Sequence, residues 1–144
     1  MIRFELNQQV GRALPKNLWQ STIKRVEKIL RMKKPVEISI AIVGNSAIKK
    51  LNKIYRKKNR VTDVLSFSET DGEKYKFSPA SGKYLGEVII CYPQARKQAR
   101  LNGKKIDDEI RLLLVHGILH LLGYDHEKPA DTRKMRGLES KILG

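Results

Sequence analysis

One run of apolar residues, which holds two of the three histidines of the chain and lies four residues before the third, constrains the fold more than any other feature. Residues 110–122 are apolar on nearly all sides, which predicts a helix buried in the middle of the protein. His116 and His120 are four residues apart and therefore share one face of such a helix. Gly123 can adopt the left-handed conformation that ends a helix, and His126 follows the resulting turn. We therefore expect three imidazoles to converge at the end of a central helix.

Three converging imidazoles are typical of a catalytic zinc site, in which the fourth coordination position stays open. The predicted ligands are His116, His120 and His126, with one zinc ion per chain. Nickel and cobalt remain alternatives, because imidazole suits several late first-row metals. A zinc ion bound in this way lowers the pKa of its water to roughly 7, so hydroxide is available at neutral pH.

The position after the first histidine decides which chemistry this site favours. The spacing H-x-x-x-H-x-x-G-x-x-H is that of the metzincin metalloproteases, which carry a glutamate as general base directly after the first histidine. Here that position is Gly117. The sequence therefore favours metal-assisted hydrolysis of something other than a peptide. Asp125 has two equal interpretations: it orients a histidine or a water, or it is a turn residue.

The charge of the chain indicates the class of partner. Lysine and arginine total 30 against 15 acidic residues, a net charge of +15. Residues 49–60 hold seven basic side chains and 96–105 hold five, with no acid in either range. Clusters of this kind favour nucleic acid over an anionic membrane, because a membrane-surface helix would need an unburied apolar face. The natural substrate would then be a phosphodiester, whose transition state a metal ion and an arginine can stabilise.

The remaining patterns predict an α+β fold in a single domain. Alternating or continuous apolar runs predict four strands, at 2–6, 36–43, 61–67 and 85–91. Helical signals predict five helices, which begin near Pro15, Asn45 or Ser46, Pro93, Asp107 and Pro129. Residues 68–84 form a long interval that is either mobile or functional. Cys91 is interpreted as a packed core thiol rather than a nucleophile. With no signal peptide or membrane span, we expect a cytosolic protein.

The histidine run from His116 to His126 resembles the signature of the YbeY family, bacterial ribosomal-RNA maturation factors. The similarity extends over nearly the whole chain. It includes Leu51-Asn52 with Tyr55-Arg56, the run from Thr62 to Phe67, the strand from Leu85 to Ile90, and a closing helix with Met135, Glu139 and Ile142-Leu143. One departure is Asn59, where many members have an aspartate, so no role of that carboxylate carries over.

The resemblance implies a zinc-dependent, single-strand-specific endoribonuclease that acts in 3′-end maturation of small-subunit ribosomal RNA and in ribosome quality control. It also implies a zincin-like fold, with a small mixed four-stranded sheet, about five flanking helices and the metal-binding helix at the centre. The metal ligands carry over to His116, His120 and His126, and the active-site arginine carries over to Arg56. Charge alone does not distinguish Arg56 from its basic neighbours.

The expected partners are single-stranded ribosomal RNA and the small ribosomal subunit with its associated factors, and neither DNA nor a membrane. Two alternatives belong to other functional classes. The first is a non-catalytic RNA- or ribosome-binding factor in which zinc only stabilises the fold. The second is a metallopeptidase, which Gly117 and the basic charge both disfavour.

Overall fold

The computed structural model describes residues 1–68 and 83–144. These residues form four strands and five helices, in the order β1 (Ile2–Gln8), α1 (Lys16–Ile29), β2 (Val36–Val43), α2 (Asn45–Arg56), β3 (Val64–Ser68), β4 (Lys83–Cys91), α3 (Tyr92–Leu101), α4 (Ile106–Leu121) and α5 (Pro129–Leu143). Within these described ranges, every helix is too short or too polar to cross a bilayer.

The strands form one mixed sheet in the order β1-β2-β4-β3. β1 and β4 both pair with β2 in parallel, and β3 pairs with β4 in antiparallel register, with Ser66 opposite Val88. β3 is therefore an edge strand whose outer side borders no other strand of this sheet. The predicted α+β class, with a mixed four-stranded sheet and five helices, is confirmed.

The two faces of the sheet carry separate apolar clusters, because successive strand residues point to opposite sides. From β2, Ile38, Ile40 and Ile42 join the larger cluster, which also contains residues of α1, α3, α4 and α5. Ala41 and Val43 point to the other face, which α2 covers. Within the larger cluster α4 contacts the sheet and each of the other three helices, which confirms its predicted central position.

Several predicted boundaries differ from the structure. β3 begins at Val64 rather than at residue 61, because the chain bends at Asp63, whose carboxylate accepts the Val64 N–H at 2.8 Å. Neither Asn45 nor Ser46 caps α2: Gly44 occupies the cap position and no side chain caps it. The Asn45 Oδ1 atom instead accepts a hydrogen bond from the Cys91 thiol at 3.3 Å.

The prediction for Cys91 is confirmed, since this thiol is fully buried in the sheet. Burial raises the pKa of the Cys91 thiol, which disfavours the reactive thiolate. The predicted long loop falls largely on residues 69–82, which lie outside the described residues. Its two ends are the last residue of β3 and the first residues of β4.

Candidate active site

The turn after α4 has the left-handed geometry that was predicted at Gly123. Gly123 has a φ of 99°, in the left-handed region. The Gly123 N–H donates to the His120 carbonyl and the Tyr124 N–H donates to the Leu119 carbonyl, each at 3.0 Å. This pair of bonds is the Schellman motif, which closes a helix and reverses the chain. The reversal returns His126 toward the face of α4 that carries the other two histidines.

The three histidines are close enough to share one ion. One nitrogen from each of His116, His120 and His126 lies within 4.8 Å of the others. The Nε2 atoms of His116 and His120 are 3.2 Å apart. Two nitrogens bound to one tetrahedral zinc ion, each at roughly 2.0–2.1 Å, would be about 3.3–3.4 Å apart. The two helical histidines therefore already have the spacing that a bound metal requires.

A glutamate from the last helix holds the first histidine. The Nδ1 atom of His116 is 2.6 Å from Oε1 of Glu139, on α5. A carboxylate in this position fixes the ring orientation and leaves Nε2 of His116 to face the other ligands. Spacing along the sequence gave no signal for this contact, because the two residues lie on different helices and 23 positions apart. Glu139 entered the sequence analysis only as part of the family resemblance.

The electrostatics around His120 favour its neutral imidazole, the form that binds metal. Burial lowers the pKa of His120 below its ordinary value of 6.5, and the adjacent His116 and His126 lower it further. Asp125 and Glu139 act in the opposite direction but with smaller effect. A neutral His120 can offer its nitrogen lone pair to a cation without first losing a proton.

Gly117 lies at the closest approach between α4 and the sheet. A Cβ atom built on Gly117 would be 2.5 Å from Cγ1 of Val88 and 3.2 Å from Oγ of Ser66. The Ser66 hydroxyl also donates to the Gly117 carbonyl at 3.2 Å. A side chain at this position would therefore point into the sheet and away from the histidines. The glutamate base of the metalloproteases has no room here.

Arg56 lines the same cleft as the histidines. The cleft has a volume of about 590 Å³, and its lining includes Arg56, Lys58, Asp63, Ser66, Asp125 and the three histidines. The Arg56 Nη2 atom donates to the Ser66 carbonyl at 2.5 Å, and its guanidinium lies over the Phe67 ring at 4.9 Å from the centroid. The structure thus brings together in one cleft the four residues predicted from the sequence, Arg56, His116, His120 and His126.

The buried side chain of Asn52 stabilises a segment that borders this cleft. The side-chain amide of Asn52 on α2 donates to the Arg60 carbonyl at 3.0 Å, and the Asn52 backbone carbonyl accepts from the Lys58 N–H. These bonds fold the connection between α2 and β3 and fix the position of Lys58. This role of Asn52 could not be predicted from the sequence, since an asparagine within a helix has no distinctive spacing.

A second polar network reaches the cleft from the other side. Glu109 is buried and accepts from Lys104 Nζ at 3.0 Å and from Gln98 Nε2 at 3.1 Å. The same Gln98 amide donates to Asp63 Oδ2 at 3.3 Å. The network ties α3 and α4 to the residue that precedes β3, so it fixes one wall of the cleft. Sequence reasoning missed it, because its members come from three separate segments.

Asp125 behaves as a turn residue. Its Oδ1 atom accepts the Glu127 N–H at 3.3 Å, which is the local bond of an aspartate turn. Among the described residues, no histidine ring donates to Asp125. Of its two interpretations, the structure supports the turn, while the side chain still lines the cleft.

Known proteins resemble this chain along nearly its whole length. A family model described as Endoribonuclease YbeY matches residues 2–144. The chain is 44% identical over 111 residues to the endoribonuclease YbeY of Roseiflexus castenholzii. This match covers 76% of this chain and 70% of that protein. It is 46% identical over 109 residues to the protein of that name from Aquifex aeolicus. This second match covers 75% of this chain and 69% of that protein.

Two further matches bear on length and fold. The match to endoribonuclease YbeY of Myxococcus xanthus is 43% identical over 109 residues and covers 76% of this chain but 36% of that protein. The matched region thus spans little more than a third of that relative. A solution structure of a Thermotoga maritima protein covers all of this chain and 90% of its own, with a TM-score of 0.60 and 30% identity.

Proposed function

The chain belongs to the endoribonuclease YbeY family, and from this membership we propose that it is a metal-dependent endoribonuclease that cuts single-stranded RNA. Its natural substrate in this proposal is the 3′ region of small-subunit ribosomal RNA. Its wider role is in maturation and quality control of the ribosome, in contact with the small subunit and its associated factors. The basic charge of the chain supports an RNA substrate.

One observation carries the proposal: three imidazoles and one arginine share a single cleft. His116, His120 and His126 would hold the metal, for which zinc is the best candidate because three neutral imidazoles suit it. When bound, a zinc ion supplies a Lewis acid and a source of hydroxide near neutral pH. The residues of the chain supply the rest of the chemistry.

Arg56 is proposed to bind the phosphate that is cut. Its guanidinium is planar and permanently charged, so it can donate two parallel hydrogen bonds to phosphate oxygens. The Ser66 carbonyl and the Phe67 ring hold it at the cleft, which reduces the motion that it must lose when substrate binds. A cation fixed in this way stabilises the charge that develops on a phosphodiester during cleavage.

Two other functional classes remain as rivals. A metallopeptidase needs a general base after the first histidine, and the packing around Gly117 leaves no space for one. A non-catalytic binding factor would use the metal only to stabilise the fold. Glu139 supports the catalytic class over this one, because it orients a ligand in a site that opens into a cleft.

One set of incubations separates the three classes. The purified protein is mixed with single-stranded RNA, duplex RNA or casein, each with and without a chelator. We expect cutting of single-stranded RNA alone, and we expect the chelator to abolish it. Tight RNA binding without cleavage would support the binding factor, and loss of casein would support the peptidase.

Metal content is tested on protein that is purified without added metal. Elemental analysis should find close to one zinc ion per chain, and His120→Ala should lose most of it. Full metal content in the His120→Ala protein would contradict the proposed ligand set. Nickel or cobalt in place of zinc would keep the ligand set and change the identity of the ion.

A further inference from the structure

The exposed side of α2 carries a stripe of lysines that the proposed cutting reaction does not use. Lys49, Lys50 and Lys53 lie within an arc of about 100° on the helix surface, at 3.6 residues per turn. All three are exposed. Lys57 follows at the C-cap of α2 and Lys58 lines the cleft. We refer to Lys49, Lys50, Lys53 and Lys57 as the α2 stripe.

The opposite side of the helix fixes the orientation of the stripe. Ile48 and Asn52 are buried, and Ile48 packs with Leu65 and Phe67 in the apolar cluster beneath α2. The helix cannot rotate without breaking this cluster. The lysines must therefore face solvent from the second turn of α2 to its C-cap, over about 12 Å at 1.5 Å per residue.

The part of the chain that the structure describes does not neutralise the stripe. Residues 44–62 contain no acidic side chain. Within residues 1–68 and 83–144, no carboxylate lies within ion-pair distance of any of the four lysines. Four exposed like charges on one short helix face repel one another, so the stripe gains from a polyanion that lies along it.

We propose that the α2 stripe binds the backbone of the single-stranded RNA beyond the cut site, and guides the strand to the cleft past Lys57 and Lys58. The inference rests on the proposed function and extends it from the cut phosphate to several flanking phosphates. A flexible single strand can follow the curved path from a helix surface into a cleft, whereas a rigid duplex would have to bend. Lysines suit this task because they attract phosphates without reading sequence.

A triple variant tests the stripe against a control of equal charge. In the first protein Lys49, Lys50 and Lys53 become glutamine. In the control, Lys24→Gln, Lys28→Gln and Lys34→Gln remove three exposed lysines from α1 and the turn after it. α1 packs on the other face of the sheet and contributes nothing to the cleft lining. Both proteins lose the same net charge, so only the position of the charge differs.

The measured quantity is the salt dependence of RNA binding. Fluorescence anisotropy of a labelled single-stranded RNA is read with the metal-loaded protein on ice, before cutting begins. Each phosphate contact on a single strand contributes about 0.7 to the slope of log affinity against log salt. We expect the stripe variant to lose about 2 from this slope, whereas the control keeps nearly the parent slope. The turnover number on a short RNA should be the same in all three proteins.

The outcomes separate this inference from the proposed function. Equal slopes for the stripe variant and the control would overturn the stripe while leaving nuclease activity intact. A smaller salt slope for the stripe variant, in a protein that never cuts RNA, would overturn the proposed function but support RNA binding by the stripe. Loss of binding to anionic lipid vesicles, with RNA binding unchanged, would assign the stripe to a membrane and also overturn the inference.

Discussion

Replacing Gly117 by alanine would add one methyl group at the point where α4 lies closest to the sheet. The new carbon would be 2.5 Å from Cγ1 and 3.0 Å from Cγ2 of Val88. Ordinary carbon contacts are about 3.5–4.0 Å, so one side must move by roughly 1 Å. Val88 is fully buried and β-branched, so its side chain has little freedom to turn away. We therefore expect α4 to be pushed from the sheet.

The magnitude follows from two opposing effects. Overpacking of a tight core typically costs 1–3 kcal/mol, and the contacts at Gly117 indicate the upper end, about 3 kcal/mol. Alanine is favoured over glycine within a helix by about 1 kcal/mol. The net expectation is a loss of about 2 kcal/mol in the free energy of unfolding. For a chain of this size that corresponds to a fall in Tm of roughly 6–8 °C.

Gly137 is the matched control, because it also lies within a helix but has open space where its Cβ would be. Gly137→Ala should stabilise the protein by about 1 kcal/mol through helix propensity alone. Urea unfolding of both variants measures the difference, which should be about 3 kcal/mol. If Gly117→Ala proves as stable as Gly137→Ala, the packing argument is wrong. Combining Gly117→Ala with Val88→Ala should cost less than the sum of the two changes.

Four other changes test the site. Arg56→Lys should lower kcat by roughly 10²–10³-fold, as for the loss of one preorganised donor, and an unchanged kcat would remove Arg56 from catalysis. Glu139→Ala should weaken metal binding by about 10–100-fold in competition with a chromophoric chelator, and unchanged affinity would contradict its orienting role. Asn52→Ala should cost about 1–3 kcal/mol in urea unfolding and raise KM, because the connection after α2 loses the side-chain bond to the Arg60 carbonyl; parent-like values would contradict this. In the metal-free folded protein the pKa of His120 is lowered, so below pH 6.5 the unfolded chain binds a proton at this residue more readily than the folded chain does. The free energy of unfolding should therefore fall as the pH drops below 6.5. His120→Gln should flatten that fall, and an equally steep profile would assign it to other groups.

Features of the fold that depend only on neighbouring residues could be predicted from local patterns in the sequence. The nearly continuous apolar run of β2, the buried character of α4 and the left-handed Gly123 are all local properties, and each is confirmed. The histidine cluster could be predicted for the same reason, since one helix and one turn bring its ligands together. Arg56 needed the family resemblance, because basic residues surround it on both sides in the sequence.

Contacts between distant segments could not be predicted in this way. The bond from Glu139 to His116 and the network through Gln98 depend on how helices pack, which no spacing encodes. The cap of α2 was predicted wrongly for a related reason. Asn45 is a good capping residue in isolation, but the buried Cys91 thiol donates to its side-chain oxygen. Tertiary structure therefore overrode a sound local preference.

The position of the ligands along the chain has a consequence for the order of assembly. His116, His120 and His126 lie within eleven consecutive residues, whereas Arg56 arrives from a segment on the opposite face of the sheet. Local contacts close small loops and form early in folding, whereas contacts between distant segments form only when the sheet forms. We expect the metal to be captured before the arginine reaches the cleft. Under the proposed function, a newly made or partly opened chain would then hold its metal before it could cut RNA.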